Sequence, residues 1–363
     1  MLSIVYITFR QHCKIEWFIQ SLIKQTDTEL RKQIQIIVVD GILNESGSER
    51  RTFIKDIIGD NFEFIHVPPK PTVWQGKDRV TSENYFAAAN TRNTGACYAK
   101  YSYIAFHDDL GCPSQTWVQG VLLAKELGQV HCGAYTKSND MVVENGIVIS
   151  KRDNGIDCRL SVYPKDISVA YGSHFFGSSF CMPLELYFKL NGINEMCDGN
   201  AGEDYEFGAR IIRDGTPFYY NKLMFIYESE DIFGSDRERK CIRADPKKDQ
   251  NDPHSDLSHY LLNYVNTCDI YKINPEFSLR DYNNKLNLGI PPDQVFLKPQ
   301  DRIHFFTGKL ISQGLSEVLN EPIFNWKNYL AKYPDLKKAG IKNEQQALTH
   351  YQSHGKAEGR TSI

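Results

Sequence analysis

Phe106-His107-Asp108-Asp109 places two carboxylates directly after an apolar run at residues 103–106. Hard carboxylate oxygens at a rigid strand end are what Mg²⁺ or Mn²⁺ takes as ligands, and such an ion neutralises charge developing on a departing diphosphate. Asp109 is the first candidate ligand. Gly202-Glu203-Asp204-Tyr205-Glu206 opens a helical pattern that runs to Asp214-Gly215. A helix N-terminus stabilises anions, so Asp204, with Glu203 beside it, is a candidate general base for an incoming hydroxyl. The run AAANTRNTG at residues 87–95 puts Arg92 on a helix from which it could reach a phosphate or hold Asp109. Each segment also has a plainer reading: a solvated turn or Asp cap before Pro113, simple helix capping, and a surface arginine on an amphipathic helix.

These residues need elements to hold them. Residues 2–8 form a β-branched run, Ile15, Phe18, Ile19, Leu22 and Ile23 fall at helical spacing, and residues 34–39 form a second apolar run. That is a β-α-β start, with Thr8, Phe9, Arg10 and Asp40 at the strand ends. Open parallel sheets bind ligands at this carboxyl edge, so a nucleotide site is expected there. Residues 62–67 read as another strand, and Pro68, Pro69 and Pro71 then force an extended loop carrying Trp74 and Lys77, both placed in the same expected site. Residues 84–100 read as a helix.

Downstream, residues 141–143 and 147–149 flank Glu144-Asn145-Gly146 as a hairpin. Phe207, Ile211 and Ile212 mark one face of the helix after Asp204, and the charged stretch 228–258 reads as a mobile loop. Near the end, Trp326, Tyr329, Leu330 and Tyr333 have helical spacing, Pro334 breaks the run, and Ala347, Leu348 and Tyr351 make a second short helix. The expected organisation is a main α/β domain over 1–265, a connecting segment over 266–320, and a helical module over 321–363. A module that small is expected to dock on the main domain or on a partner protein.

Composition narrows the function. Forty-two basic against forty-five acidic residues in 363 give a net charge of −3, which excludes a dominant nucleic-acid-binding surface. Nine cysteines, an odd count with no CxxC pair, read as reduced thiols of a cytoplasmic protein. No run reaches the ~18 apolar residues of a membrane span and the start lacks a basic leader, so a soluble chain is expected.

Taken in order, ITFR, VVDG, VWQGKDRVTSENYFAAANTRNTG, FHDD and NGINEMCDGNAGEDYEFGARI resemble the motifs of family-two-like GT-A glycosyltransferases over residues 1–230. The resemblance implies the α/β GT-A fold, a Rossmann-like nucleotide-binding domain with a mixed β-sheet flanked by helices. It also implies metal-dependent, inverting transfer of a sugar from a UDP- or GDP-sugar to a hydroxyl of a glycan or glycoconjugate acceptor. In that pattern Asp108 and Asp109 bind metal and diphosphate, with His107 in place of the more usual first Asp. Asp40 contacts the nucleobase, and Glu203 and Asp204 supply the base. Members also place a metal-binding His downstream, and NDPHSDLSHYLL offers His254 and His259. His259, which opens an apolar run, is preferred. The tail resembles a helical module attached to some bacterial and giant-virus glycosyltransferases.

Two other functions fit parts of the pattern. A sugar nucleotidyltransferase needs a similar metal site but carries a Gly-rich loop after its first strand, and ITFRQHCKIEWF has no glycine. A catalytically silent glycan-binding or scaffold protein predicts that the carboxylates at 109 and 204 are dispensable.

Overall fold

β1 (Leu2–Thr8) and β2 (Ile34–Asp40) are buried along their whole length, which is why both read as continuous rather than alternating apolar runs. The computed structural model describes residues 1–71, 87–198, 202–231, 270–271, 273–274, 277–297, 326–355 and 358–360. The chain divides into two compact units, Met1–Arg302 and Ile303–Ile363.

In the first unit, β1 and β2 join β3 (Glu63–Val67) and β4 (Tyr103–Asp108) in a parallel half-sheet. The remaining strands are β5 (Gly111–Pro113), β6 (Val130–Glu144), β7 (Ile147–Ile156), β8 (Ile167–Val169), β9 (Ser179–Pro183) and β10 (Phe218–Ser229). Strand order is β3-β2-β1-β4-β9-β6-β10-β5, with β7 on β6 and β8 on β10. Because β9 runs antiparallel to both β4 and β6, the sheet is mixed.

Helices cover both faces. One face carries α1 (Ile15–Gln25), a short α2 (Thr28–Arg31) beyond it, α3 (Leu43–Ile58) and α5 (Trp117–Leu127); Phe18, Ile54 and Trp117 pack there with Tyr6. The opposite face carries α4 (Ala88–Cys97), α7 (Leu184–Lys189), α8 (Glu203–Arg213) and α9 (Leu279–Asn287) around Val5, Phe106 and Phe180; α6 (Arg159–Val162) follows β7. The expected mixed sheet flanked by helices is therefore present. Segment 277–297, read as connecting sequence, instead completes this core through Phe277, Leu279, Tyr282 and Val295.

Local chemistry explains several elements. Asn145 (φ 50°) and Gly146 (φ 73°) both adopt the left-handed conformation that a two-residue hairpin turn requires, joining β6 to β7. On α8, Phe207 and Ile211 are buried but Ile212 is 41% exposed. A buried Glu206–Arg210 pair lies on the other flank of the Phe207–Ile211 stripe, its guanidinium donating to the carbonyls of Leu190 and Gly192. Helix α4 is buried from Ala89 to Cys97 rather than amphipathic, and a Cβ on Gly95 would lie 2.3 Å from Val5 Cγ1. Replacing Gly95 with alanine is therefore expected to destabilise the first unit by about 1–3 kcal/mol, read as a lowered urea midpoint with unchanged slope.

In the second unit, helices Trp326–Lys332, Pro334–Lys338 and Glu344–His350 enclose Tyr329, Leu330, Leu336 and Ala347. Pro334 opens a helix at its first turn instead of only ending one, a position where its missing N–H costs nothing. Among the described residues no helix is long and apolar enough to cross a membrane, and the seven described cysteines are unpaired thiols.

Candidate active site

The parallel register brings Thr8 opposite Asp40 and Ile7 opposite Asp108, so β1, β2 and β4 present their carboxyl ends at one edge. Asp109 follows β4 and turns back onto the end of β1. Its Oδ2 accepts from Thr8 Oγ1 at 2.6 Å and its Oδ1 from Arg10 Nε at 3.1 Å. Burial pushes its carboxyl above the usual carboxylate range, against the pull of Arg10 and Thr8. Asp109 thus anchors the 8–10 turn.

Asp40 holds the same turn from the other side. Its Oδ2 accepts from Arg50 Nε at 2.7 Å and lies 3.1 Å from His66 Nε2, and Arg50 donates onward to the carbonyls of Gln11 and Arg10. Burial would raise this carboxyl, but the bonds to His66 and Arg50 outweigh it and hold the group below its ordinary range. Phe9 lies over Gly41, where a Cβ would come within 2.2 Å of its ring.

The acid that meets the other sequence candidates is Asp108. Arg92 Nη2 donates to both its oxygens, at 3.0 and 2.8 Å, and Arg92 Nη1 stands 3.6 Å from Glu203 Oε1. Arg92 therefore holds Asp108, not Asp109. Asp204 belongs to the same cluster: its Oδ2 accepts from the Gly177 amide at 3.0 Å, while its Oδ1 is buried without a hydrogen-bond partner. A Cβ on Gly177 would lie 2.4 Å from Asp204 Oδ1 and 3.0 Å from Arg92 Nη2, so any larger residue there would displace the Asp204 carboxylate.

Ser178 and Glu228 complete the cluster, and sequence reasoning passed over both. Ser178 Oγ donates to Asp108 Oδ2 at 3.1 Å, and Glu228, the penultimate residue of β10, stands close enough to Asp108 for their charges to interact. The signal was available: Glu228 follows the apolar run 223–227 much as Asp108 follows 103–107. Burial, with neighbouring negative charge, raises Asp108 to about 6 and both Glu203 and Glu228 to about 7. Arg92, surrounded by Asp108, Asp204 and Glu203, has its own pKa raised, with burial opposing those charges.

The position of Arg92 is set by Asp198, whose carboxylate caps α4 by accepting from the Ala89 amide at 2.7 Å and the Asn90 amide at 3.0 Å. Asn93 reinforces this by donating to the Ile193 carbonyl and accepting from Tyr187. The NEMCD segment is thus scaffold for the arginine helix.

His107 does not join the site. Strand alternation turns it to the face opposite Asp108, where it stacks on Tyr6 and meets Phe18 and Trp117. It is fully buried, both ring nitrogens lack hydrogen-bond partners, and desolvation lowers its pKa to about 3. Its expected contact with the nucleotide is replaced by a place in the core. Trp74, Lys77, His254 and His259 lie outside the described residues.

The residues present fit a divalent cation by donor chemistry. Asp108, Asp204 and Glu203 surround Arg92, Glu228 neighbours Asp108, and Asp204 keeps one buried oxygen unpaired. Among the described residues no three metal-ligating side chains already converge. A nucleotide-bound ion needs only one or two protein carboxylates, with phosphate and water supplying the rest.

No family model and no curated relative matches the chain. Among solved structures it is similar to GalNAc-T7 with UDP, GalNAc and Mn2+, at 14% identity and a TM-score of 0.42 over 63% of this chain and 44% of that one. It is also similar to S. aureus TarS 1-349, at 12% identity and a TM-score of 0.44 over 64% and 61% of the two chains. For TarS 1-349 in complex with UDP-GlcNAc the values are 11%, 0.43, 63% and 58%. The chain spans less than two thirds of each of these three structures, and at these TM-scores the likeness leaves the functional reading to the site's own geometry.

Proposed function

We propose that the chain is a GT-A glycosyltransferase that moves a sugar from a nucleotide diphosphate donor to an acceptor hydroxyl with inversion, aided by Mn²⁺ or Mg²⁺. The observation that carries the reading is the cluster in which Arg92 holds Asp108 with Glu203 and Asp204 beside it, next to a turn that Asp40 and Asp109 hold from both sides. The 8–10 turn and Asp40 are the donor-base side. Arg92 keeps Nε–H and Nη1–H without hydrogen-bond partners, donors suited to a phosphate oxygen. Asp108, with Glu228 as its charged neighbour, would hold the ion, in place of Asp109 with both oxygens engaged. Such an ion neutralises charge on the departing diphosphate.

Asp204 stands as the general base. Its Oδ2 is fixed by Gly177 N–H, which leaves Oδ1 to accept the proton of the attacking hydroxyl. Glu203, raised to about 7, is partly protonated at neutral pH and so limits the repulsion that Asp204 feels.

The test is release of free sugar from a panel of UDP- and GDP-sugars with Mn²⁺, Mg²⁺ or chelator, in the unaltered chain and in Asp108→Asn. Metal-dependent hydrolysis of one donor, reduced about 10²-fold in the variant, is expected. No turnover and no metal-dependent nucleotide binding across the panel would overturn the reading.

A further inference from the structure

We propose that Tyr205 and Tyr171 form a stacking platform for an oligosaccharide acceptor, one ring of the glycan on each tyrosine. The proposal rests on the glycosyl-transfer reading and adds the class of acceptor. Both side chains are large and exposed, Tyr205 at 50% and Tyr171 at 67%.

Their placement follows from two close contacts between segment 171–178 and α8. A Cβ on Gly208 would lie 2.1 Å from the Gly172 carbonyl oxygen, so the turn at Gly172 presses directly on the helix backbone at Gly208 and Ala209. Five residues later, Gly177 N–H reaches Asp204. The segment therefore runs back along the first turns of α8, from residue 209 towards residue 204. Tyr205 shares a helix face with Gly208 and Ala209, three and four positions on. Tyr205 and Tyr171, the residue before that turn, consequently lie towards the two ends of one strip along α8, at least about 6 Å apart, the rise of four residues.

The strip leads into the acidic cluster. Tyr205 adjoins Asp204, whose buried Oδ1 has no hydrogen-bond partner and is the group proposed to take the acceptor's proton. Tyr171 is held by its neighbours: its N–H donates to Tyr163 Oη at 3.0 Å, its carbonyl accepts from His174 N–H at 2.9 Å, and its ring meets His174 edge-on at 5.6 Å. Tyrosine offers an apolar face and a polar rim at low conformational cost, matching a pyranose whose C–H face stacks while its hydroxyls bond at the edge. A single hydroxyl on a peptide or lipid needs no second ring one helical turn away.

The experiment is a glycan array probed with the full chain in UDP or GDP and Mn²⁺. Calorimetry on the best-bound oligosaccharide and its terminal monosaccharide follows. The expected result is that the oligosaccharide binds at least tenfold tighter than the monosaccharide. Tyr205→Ala and Tyr171→Ala should each weaken it tenfold or more, and the two Tyr→Phe variants should stay within threefold. Absence of binding to every glycan, or alanine variants that bind like the unaltered chain, overturns the platform. Donor hydrolysis by the unaltered chain, run on the same preparation, separates the failures: hydrolysis without glycan binding removes the platform alone, and loss of both removes the transferase reading with it.

Discussion

Replacing Arg92 with alanine is expected to cost about 3–5 kcal/mol of stability at pH 8, because it leaves a buried carboxylate cluster without the guanidinium at its centre. Arg92 is 2% exposed and contacts Asp108 and Glu203 directly. The loss should shrink as pH falls. Asp108 at about 6, and Glu203 and Glu228 at about 7, bind protons more tightly in the folded protein than at the ordinary carboxylate values near 4. Between about pH 4 and pH 7 the folded state thus carries more protons, and the cluster's contribution to stability falls as pH rises through that window. Without Arg92 those carboxyls shift further up, so at pH 5.5 they are neutral and the missing charge matters less. Urea unfolding of both chains at pH 5.5 and pH 8 checks this, and an equal loss at the two pH values would refute the charge-balance account. Nucleotide binding should be lost at both.

The second large effect is expected at Asp204. Asparagine keeps an oxygen for the Gly177 amide but cannot accept a proton, so donor hydrolysis should fall by about 10²–10⁴-fold while metal-dependent nucleotide affinity stays within about threefold. Glu203→Gln should lose far less, because the unpartnered oxygen belongs to Asp204. Steady-state hydrolysis with parallel nucleotide titration separates the two roles. An Asp204→Asn chain that hydrolyses donor at the original rate would move the base elsewhere in the cluster.

Much of this site is legible in the residues because strand ends and helix starts are local features. The acids after residue 106, the ED pair and the Asn145-Gly146 turn all depend on spacing within a dozen residues, and the structure places each at an element end; the β-α-β opening is read the same way, one local run at a time. What was not legible is which acid points where. Alternation along β4 puts His107 with Tyr6 on one face and Phe106 and Asp108 on the other, and α4 packs on the Asp108 face. Reading the period of two through the HDD triplet would have separated its first two members. Glu228 and Ser178 were harder, because they reach Asp108 only when β9 and β10 take their places far along the chain. Ile212 shows the reverse error: apolar spacing assigned it to the core, but the buried face of α8 extends the other way, through Glu206 and Arg210 with its carbonyl partners.

The strand order also constrains how the chain is made. The parallel half-sheet is complete in sequence by Asp108, but the neighbour that covers the free side of β4 is β9, at Ser179–Pro183. A growing chain that has emitted only its first hundred or so residues therefore holds an apolar strand with an open ladder until some seventy more have emerged, and unpaired edges of that kind recruit other chains. Fragments that stop before residue 179 should aggregate at concentrations where those reaching past residue 229, which also carry the β10 neighbour of β6, remain dispersed.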